Sequence, residues 1–113
     1  GNADMHLKNY SLYAPMGKEY QLTPAYDLLS TALAIPEDTE ELALTLCGKK
    51  RKLTRQHFLE AMTASGLDEK VCDNIFARFA GILPEWEACI RHCFLPQEMQ
   101  DGYVALIFNR MNK

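Results

Sequence analysis

NYSLYAPMGKEYQLTPAYD, residues 9–27, holds two short runs of alternating polarity, Tyr10-Ser11-Leu12-Tyr13 and Glu19-Tyr20-Gln21-Leu22. Between them lies APMGK, a turn-rich piece containing Pro15 and Gly17. Alternation on both sides of such a turn predicts an antiparallel ribbon over residues 10–22. Because an antiparallel pair carries the chain back to where it started, the ribbon should return Asp27 to the neighbourhood of the cluster Asp4, His6 and Asn9 that precedes it.

Upstream of the ribbon, GNADMHLKN packs Asp4, His6, Lys8 and Asn9 into the first nine residues, with Asp4, His6 and Asn9 spaced as D-x-H-x-x-N. Read together with Asp27, this set suits phosphoryl transfer from a nucleotide. One carboxylate must orient or deprotonate the attacking hydroxyl, and a second carboxylate with an amide oxygen must hold magnesium against the phosphates. Magnesium favours hard oxygen donors and keeps some of its water, so Asn9 and Asp27 fit as its ligands and Asp4 fits as the base. His6 and Lys8 carry donors able to steady the transferred phosphate or a neighbouring carboxylate. Asp and Asn also serve everywhere as turn and capping residues, and that reading of Asp4, Asn9 and Asp27 stands beside the chemical one.

Downstream, AYDLLSTALA predicts a short helix that Pro36 ends. ELALTLCGKKRKL sets Leu42, Leu44 and Leu46 at period two before the turn residues Cys47-Gly48-Lys49-Lys50, which predicts a second hairpin. Its basic tip, Lys49 to Lys52, has the composition of a nucleic-acid patch, although four such residues at a turn usually form a solvated loop. From Thr54 onward the pattern becomes helical. Thr54 caps a segment with Phe58, Leu59 and Met62 that Gly66 stops, and Asp68 caps a second with Val71, Cys72, Ile75, Phe76, Phe79 and Ile82. Pro84 opens a third with Trp86, Cys89, Ile90 and Cys93, and Pro96 a fourth with Met99, Tyr103, Leu106 and Ile107. Trp86 and Phe94 are expected to be packing residues. The fold class is therefore mainly α with two short β-hairpins.

The 113 residues suffice for one domain, read as residues 1–35 carrying the site and 36–113 forming a second hairpin and a helical bundle. Twelve basic against 15 acidic side chains leave a net charge of −3, so no general field attracts nucleic acid or an anionic membrane. With no long apolar run and no leader-like start, a soluble, cytoplasmic protein without membrane partners is expected. The four cysteines are too scattered for a disulfide framework. Cys89, His92 and Cys93 can share a helical face as part of a metal site, but no fourth ligand is indicated, and packing of the two thiols as small apolar groups is the better explanation.

The D-x-H-x-x-N, the hairpin and the later aspartate resemble the catalytic loop of protein-kinase-like enzymes. GNADMHLKNYSL followed by LTPAYDLLS is similar, more specifically, to the C-terminal part of HipA-family serine/threonine kinases, the toxins of bacterial toxin–antitoxin modules, and the likeness runs more loosely through LALTLCGKKRKLTRQHF. The resemblance implies the helical C-lobe portion of a protein-kinase-like fold. It implies an enzyme dependent on ATP and Mg2+ that phosphorylates a seryl or threonyl hydroxyl of a protein substrate. A helix-turn-helix antitoxin is the implied partner, with DNA reached only through it. Asp4 matches the catalytic aspartate, Asn9 and Asp27 the metal ligands, and His6 and Lys8 lie within the matched motif. A kinase also needs a phosphate-covering loop and a lysine for the α and β phosphates, and neither is recognisable here. The chain is accordingly expected to be part of a larger kinase, inactive without its N-terminal lobe. The other class of function consistent with these features is a non-catalytic helical interaction module of kinase descent.

Overall fold

In the computed structural model, which describes residues 1–112, strand β1 (Leu12–Tyr13) pairs antiparallel with β2 (Gln21–Leu22), Leu12 opposite Leu22 and Tyr13 opposite Gln21. The turn between them closes through Lys18 N–H on the Pro15 carbonyl at 3.0 Å. Met16 (φ 50°) and Gly17 (φ 74°) both take the left-handed backbone that a turn of this hand requires. The expected ribbon is present. Helix α1 (Thr31–Ala34) follows; it is a single turn of four residues, and it ends before Pro36.

The chain divides into two units, the first spanning Gly1–Lys52 and the second starting at Leu53. In the first, the second ribbon is condensed to a bridged turn. Leu46 and Lys49 exchange both backbone hydrogen bonds, at 2.8 and 2.9 Å, around Cys47 (φ 49°) and Gly48 (φ 74°). The ladder goes no further: the Glu41 and Leu42 N–H groups both reach the Lys50 carbonyl, out of register with the Leu46–Lys49 pair, while Asn2 N–H bonds the Glu41 carbonyl and Asn2 bridges Leu42 in parallel. The basic tip folds onto the acidic stretch before it, Lys50 Nζ lying 3.1 Å from Glu40 and the Lys52 N–H 3.2 Å from the buried Glu41 carboxylate.

The second unit consists of α2 (Arg55–Ala64), α3 (Glu69–Gly81), α4 (Leu83–Arg91) and α5 (Gln97–Met111), with each helix packed on the next. Their ends follow the local signals. Thr54 N–H donates to His57 Nδ1 at 3.1 Å, and Asp68 accepts from Val71 N–H at 2.9 Å. After α2, Leu67 N–H reaches the Met62 carbonyl and Gly66 N–H the Thr63 carbonyl, a Schellman closure that needs the left-handed backbone Gly66 supplies at φ 87°. Cys72 is fully buried, with Leu53 and Ile90 nearly so, and Phe79 meets Trp86 with ring centroids 5.8 Å apart. Arg55 joins α2 to α3, its guanidinium 2.9 Å from Asp73 and 4.3 Å above the Phe76 ring. Phe94 departs from expectation. It lies fully exposed in the corner between α4 and α5, where the chain is turning and no helical face carries it inward.

That corner is held by Gln100, only 7% exposed, whose Nε2 donates to the carbonyls of Leu95 at 2.8 Å and Cys93 at 3.3 Å. Gln100→Ala leaves both carbonyls without that donor and opens a small cavity, an expected loss of about 2–4 kcal/mol. Urea unfolding of the 113-residue chain measures it, and a change below about 0.5 kcal/mol, the usual surface value, would show the amide to be dispensable.

On the surface of the same corner, Arg91 hydrogen-bonds Asp101, and this bond, then that of Gln97, holds the Asp101 carboxyl below its ordinary range. A depressed folded-state pKa contributes stability above the unfolded value of 3.8, and that contribution is lost as pH falls through the lower folded value. Thermal unfolding followed from neutral pH into acid should therefore show a smaller acid-side decline in Asp101→Asn than in the parent chain.

Candidate functional site

The ribbon closes like a zipper toward its open end. Beyond the Leu12–Leu22 pair, Thr23 N–H bonds the Ser11 carbonyl at 2.9 Å, and the Ser11 hydroxyl meets the Tyr26 hydroxyl at 2.6 Å. The next link is Asn9 Nδ2 donating to Asp27 Oδ2 at 3.0 Å. Residues 18 apart in sequence are thereby brought into direct contact, Asn9 being only 9% exposed. Asp27 stands at φ 56°, a left-handed backbone that Asp tolerates better than most residues.

Upstream, two tight turns deliver Asn9. Asn2 Oδ1 accepts the Asp4 N–H at 3.1 Å, and the Asp4 carbonyl accepts the His6 N–H at 2.9 Å. Leu7–Asn9 then form a 3-10 turn, closed by Asn9 N–H on the His6 carbonyl and Tyr10 N–H on the Leu7 carbonyl. The Asp4 carboxylate is exposed and lies 3.5 Å from His6 Nε2. Lys8 is exposed on the 3-10 turn. Among the described residues, no hydrogen bond or ion pair joins Asp4 to Asn9 or Asp27.

The donor set of Asn9 and Asp27 fits magnesium. With the Asn9 amide nitrogen committed to one carboxylate oxygen, the amide oxygen and the second carboxylate oxygen remain as hard donors. Magnesium is commonly held by one or two such protein ligands, with phosphate oxygens and water completing the shell. No group of three or more His, Cys, Asp or Glu side chains among the described residues is arranged around a metal position. Cys89, His92 and Cys93 in particular are not: Cys89 is exposed, and His92 Nδ1 lies 2.7 Å from the Ala88 carbonyl of its own helix.

Residue-by-residue reading missed the groups that anchor the front segment. Thr31, 5% exposed at the start of α1, accepts the Ala3 N–H on its hydroxyl at 2.9 Å. The Gly1 carbonyl gathers Ser30 Oγ at 3.4 Å, Thr31 Oγ1 at 3.5 Å and the Ala32 N–H at 3.5 Å. Gly1 lies so close that a Cβ there would stand 2.8 Å from the Ala32 Cβ. Ser30-Thr31 before a short helix signals a cap, but nothing in the sequence says that it serves residues some thirty positions upstream.

Among the described residues, no helix is long and apolar enough to cross a membrane. Comparison with known proteins places the same residues in context. The family described as the HipA-like C-terminal domain matches residues 1–86. A Sinorhizobium fredii protein named "Putative kinase Y4dM" is 39% identical over 90 residues, covering 78% of this chain and 22% of that protein. The matched segment thus spans about a fifth of that relative's length. With the match covering the D-x-H-x-x-N segment, the ribbon and Asp27, the chain belongs to the HipA-like C-terminal domain family.

Proposed function

We propose that this chain is the catalytic-loop and helical portion of an ATP- and magnesium-dependent serine/threonine protein kinase, of the kind that acts as the toxin of a toxin–antitoxin module. The observation that carries the proposal is the 3.0 Å contact of Asn9 with Asp27, which pairs an amide and a carboxylate at the end of the ribbon. Asn9 and Asp27 would hold the magnesium, which when bound neutralises and aligns phosphate oxygens. Asp4 takes the proton of the attacking hydroxyl as that oxygen bonds to the γ-phosphorus and the bond to the ADP oxygen breaks. His6, 3.5 Å from Asp4, orients that carboxylate, and Lys8 offers its ammonium to the transferred phosphate.

The expected result is that the 113-residue chain alone transfers negligible phosphate, whereas the full-length gene product phosphorylates protein at a rate in the usual kinase range of about 1–100 s⁻¹. Labelled ATP with magnesium and a generic protein substrate measures both. Ordinary turnover by the chain alone would show that no further lobe is needed. A full-length product with no transfer to any protein, itself included, would overturn the kinase reading.

One observation favours the second reading, an interaction module. The cross-strand pair Leu12 and Leu22 is 63% and 65% exposed, and Leu7, Met16 and Tyr20 of the same unit are more exposed still. Such an apolar surface suits a docked protein, either the rest of the kinase or a helix-turn-helix antitoxin, with DNA engaged only through the latter.

A further inference from the structure

We propose that Thr31 is a positioning residue that couples the segment bearing Asp4 to the segment bearing Asp27; the inference rests on the kinase reading of those two aspartates. Thr31 lies four residues beyond Asp27 along the chain, yet its hydroxyl receives the N–H of Ala3, the residue immediately before Asp4. The bond is 2.9 Å long and part-buried, and Thr31 as a residue is only 5% exposed, so water does not readily replace it. The same hydroxyl lies 3.5 Å from the Gly1 carbonyl, to which it donates while accepting from Ala3. A single oxygen thus holds both sides of the front segment. The neighbouring Ser30 reaches only the Gly1 carbonyl, at 3.4 Å, and does not touch the amide next to Asp4.

The consequence is geometric. Asn9 and Asp27 are registered by the ribbon, whereas Asp4 lies outside it and makes no bond to either. Its backbone placement is set by Asn2 Oδ1 on its own N–H and by Thr31 on the preceding N–H. The Thr31 hydroxyl is occupied by the Ala3 N–H and the Gly1 carbonyl, so it acts through the Asp4 segment and fixes where the base stands relative to the ligand pair. Loss of the hydroxyl should therefore lower the rate of transfer without weakening nucleotide binding, since misplacing a reacting group by about 1 Å can cost on the order of 100-fold.

The test compares parent, Thr31→Val and Thr31→Ser. Valine keeps the branched shape and removes the hydroxyl, and serine keeps the hydroxyl. In the full-length product, Thr31→Val should lower kcat by about 10–100-fold with the affinity for magnesium–ATP unchanged, and Thr31→Ser should restore most of the rate. Equal kcat in Thr31→Val, or equal losses in both variants, overturns the inference. The second readout needs no activity: exchange of the Ala3 amide in the 113-residue chain should be faster in Thr31→Val and parent-like in Thr31→Ser, while Asn9 and Thr23 amides are unmoved. If the parent transfers no phosphate, the kinase reading fails on its own, and the exchange pattern still decides whether Thr31 holds the segment. Unchanged Ala3 protection in Thr31→Val overturns the coupling.

Discussion

Asp27→Asn should cut phosphoryl transfer by the full-length product by about 10²–10³-fold, the usual cost of removing one electrostatic stabiliser of the transition state, and weaken magnesium–ATP binding along with it. The substitution isolates charge from structure. Asparagine keeps a carbonyl oxygen able to accept from Asn9 Nδ2, now 3.0 Å from the carboxylate, and it tolerates the left-handed backbone that residue 27 adopts. Folding should therefore survive while the anionic oxygen that draws a divalent cation is gone. Calorimetric titration with magnesium–ATP measures the binding loss, and a thermal melt confirms the fold. Parent-like affinity in the variant would make the Asn9–Asp27 contact an ordinary turn contact. The interaction reading, with its exposed Leu12–Leu22 pair, would then be favoured.

Asp4→Asn should behave differently. Asparagine matches the carboxylate in size but cannot take a proton, so kcat is expected to fall by about 10²–10⁴-fold, the range for losing a general base. Binding should not change, because Asp4 is bonded to neither Asn9 nor Asp27 and its carboxylate lies exposed against His6. The contrast is the informative result: one aspartate moves affinity and rate together, the other moves rate alone. Single-turnover kinetics at saturating magnesium–ATP separate the two. An Asp4 variant that loses affinity as strongly as Asp27→Asn would place Asp4 among the metal-binding groups and leave the base unassigned.

Where the chemistry was legible in the chain, the signals were short in range. Thr54 and Asp68 each cap a helix through residues three positions on, and Gly66 closes α2 through its own backbone freedom. The ribbon, too, is announced by alternation and a turn, and the meeting of Asn9 with Asp27 follows from its register. What eluded sequence reasoning was register. The alternating Leu42, Leu44 and Leu46 suggested strand, but the Glu41 and Leu42 N–H groups meet the Lys50 carbonyl out of step with the Leu46–Lys49 bridge, and only the turn at Cys47-Gly48 is paired as a hairpin. Phe94 read as core by its chemistry alone, yet the corner between α4 and α5 carries it into solvent.

By itself, then, the amino-acid order determined the four longer helices, the caps of α2 and α3, the ribbon and the meeting of Asn9 with Asp27, because each depends on periodicity or on capping over a few residues. The helix expected over AYDLLSTALA, by contrast, shrinks to Thr31–Ala34, and α4 stops at Arg91, short of Cys93. Tertiary structure alone decided where the Asp4 segment lies. That placement hangs on a buried hydroxyl 28 positions from the amide it receives and on the docking of Asn2 against Glu41 and Leu42. Bonds of that span leave no periodic trace in a sequence, since Thr31 would look the same whether its oxygen faced water or Ala3.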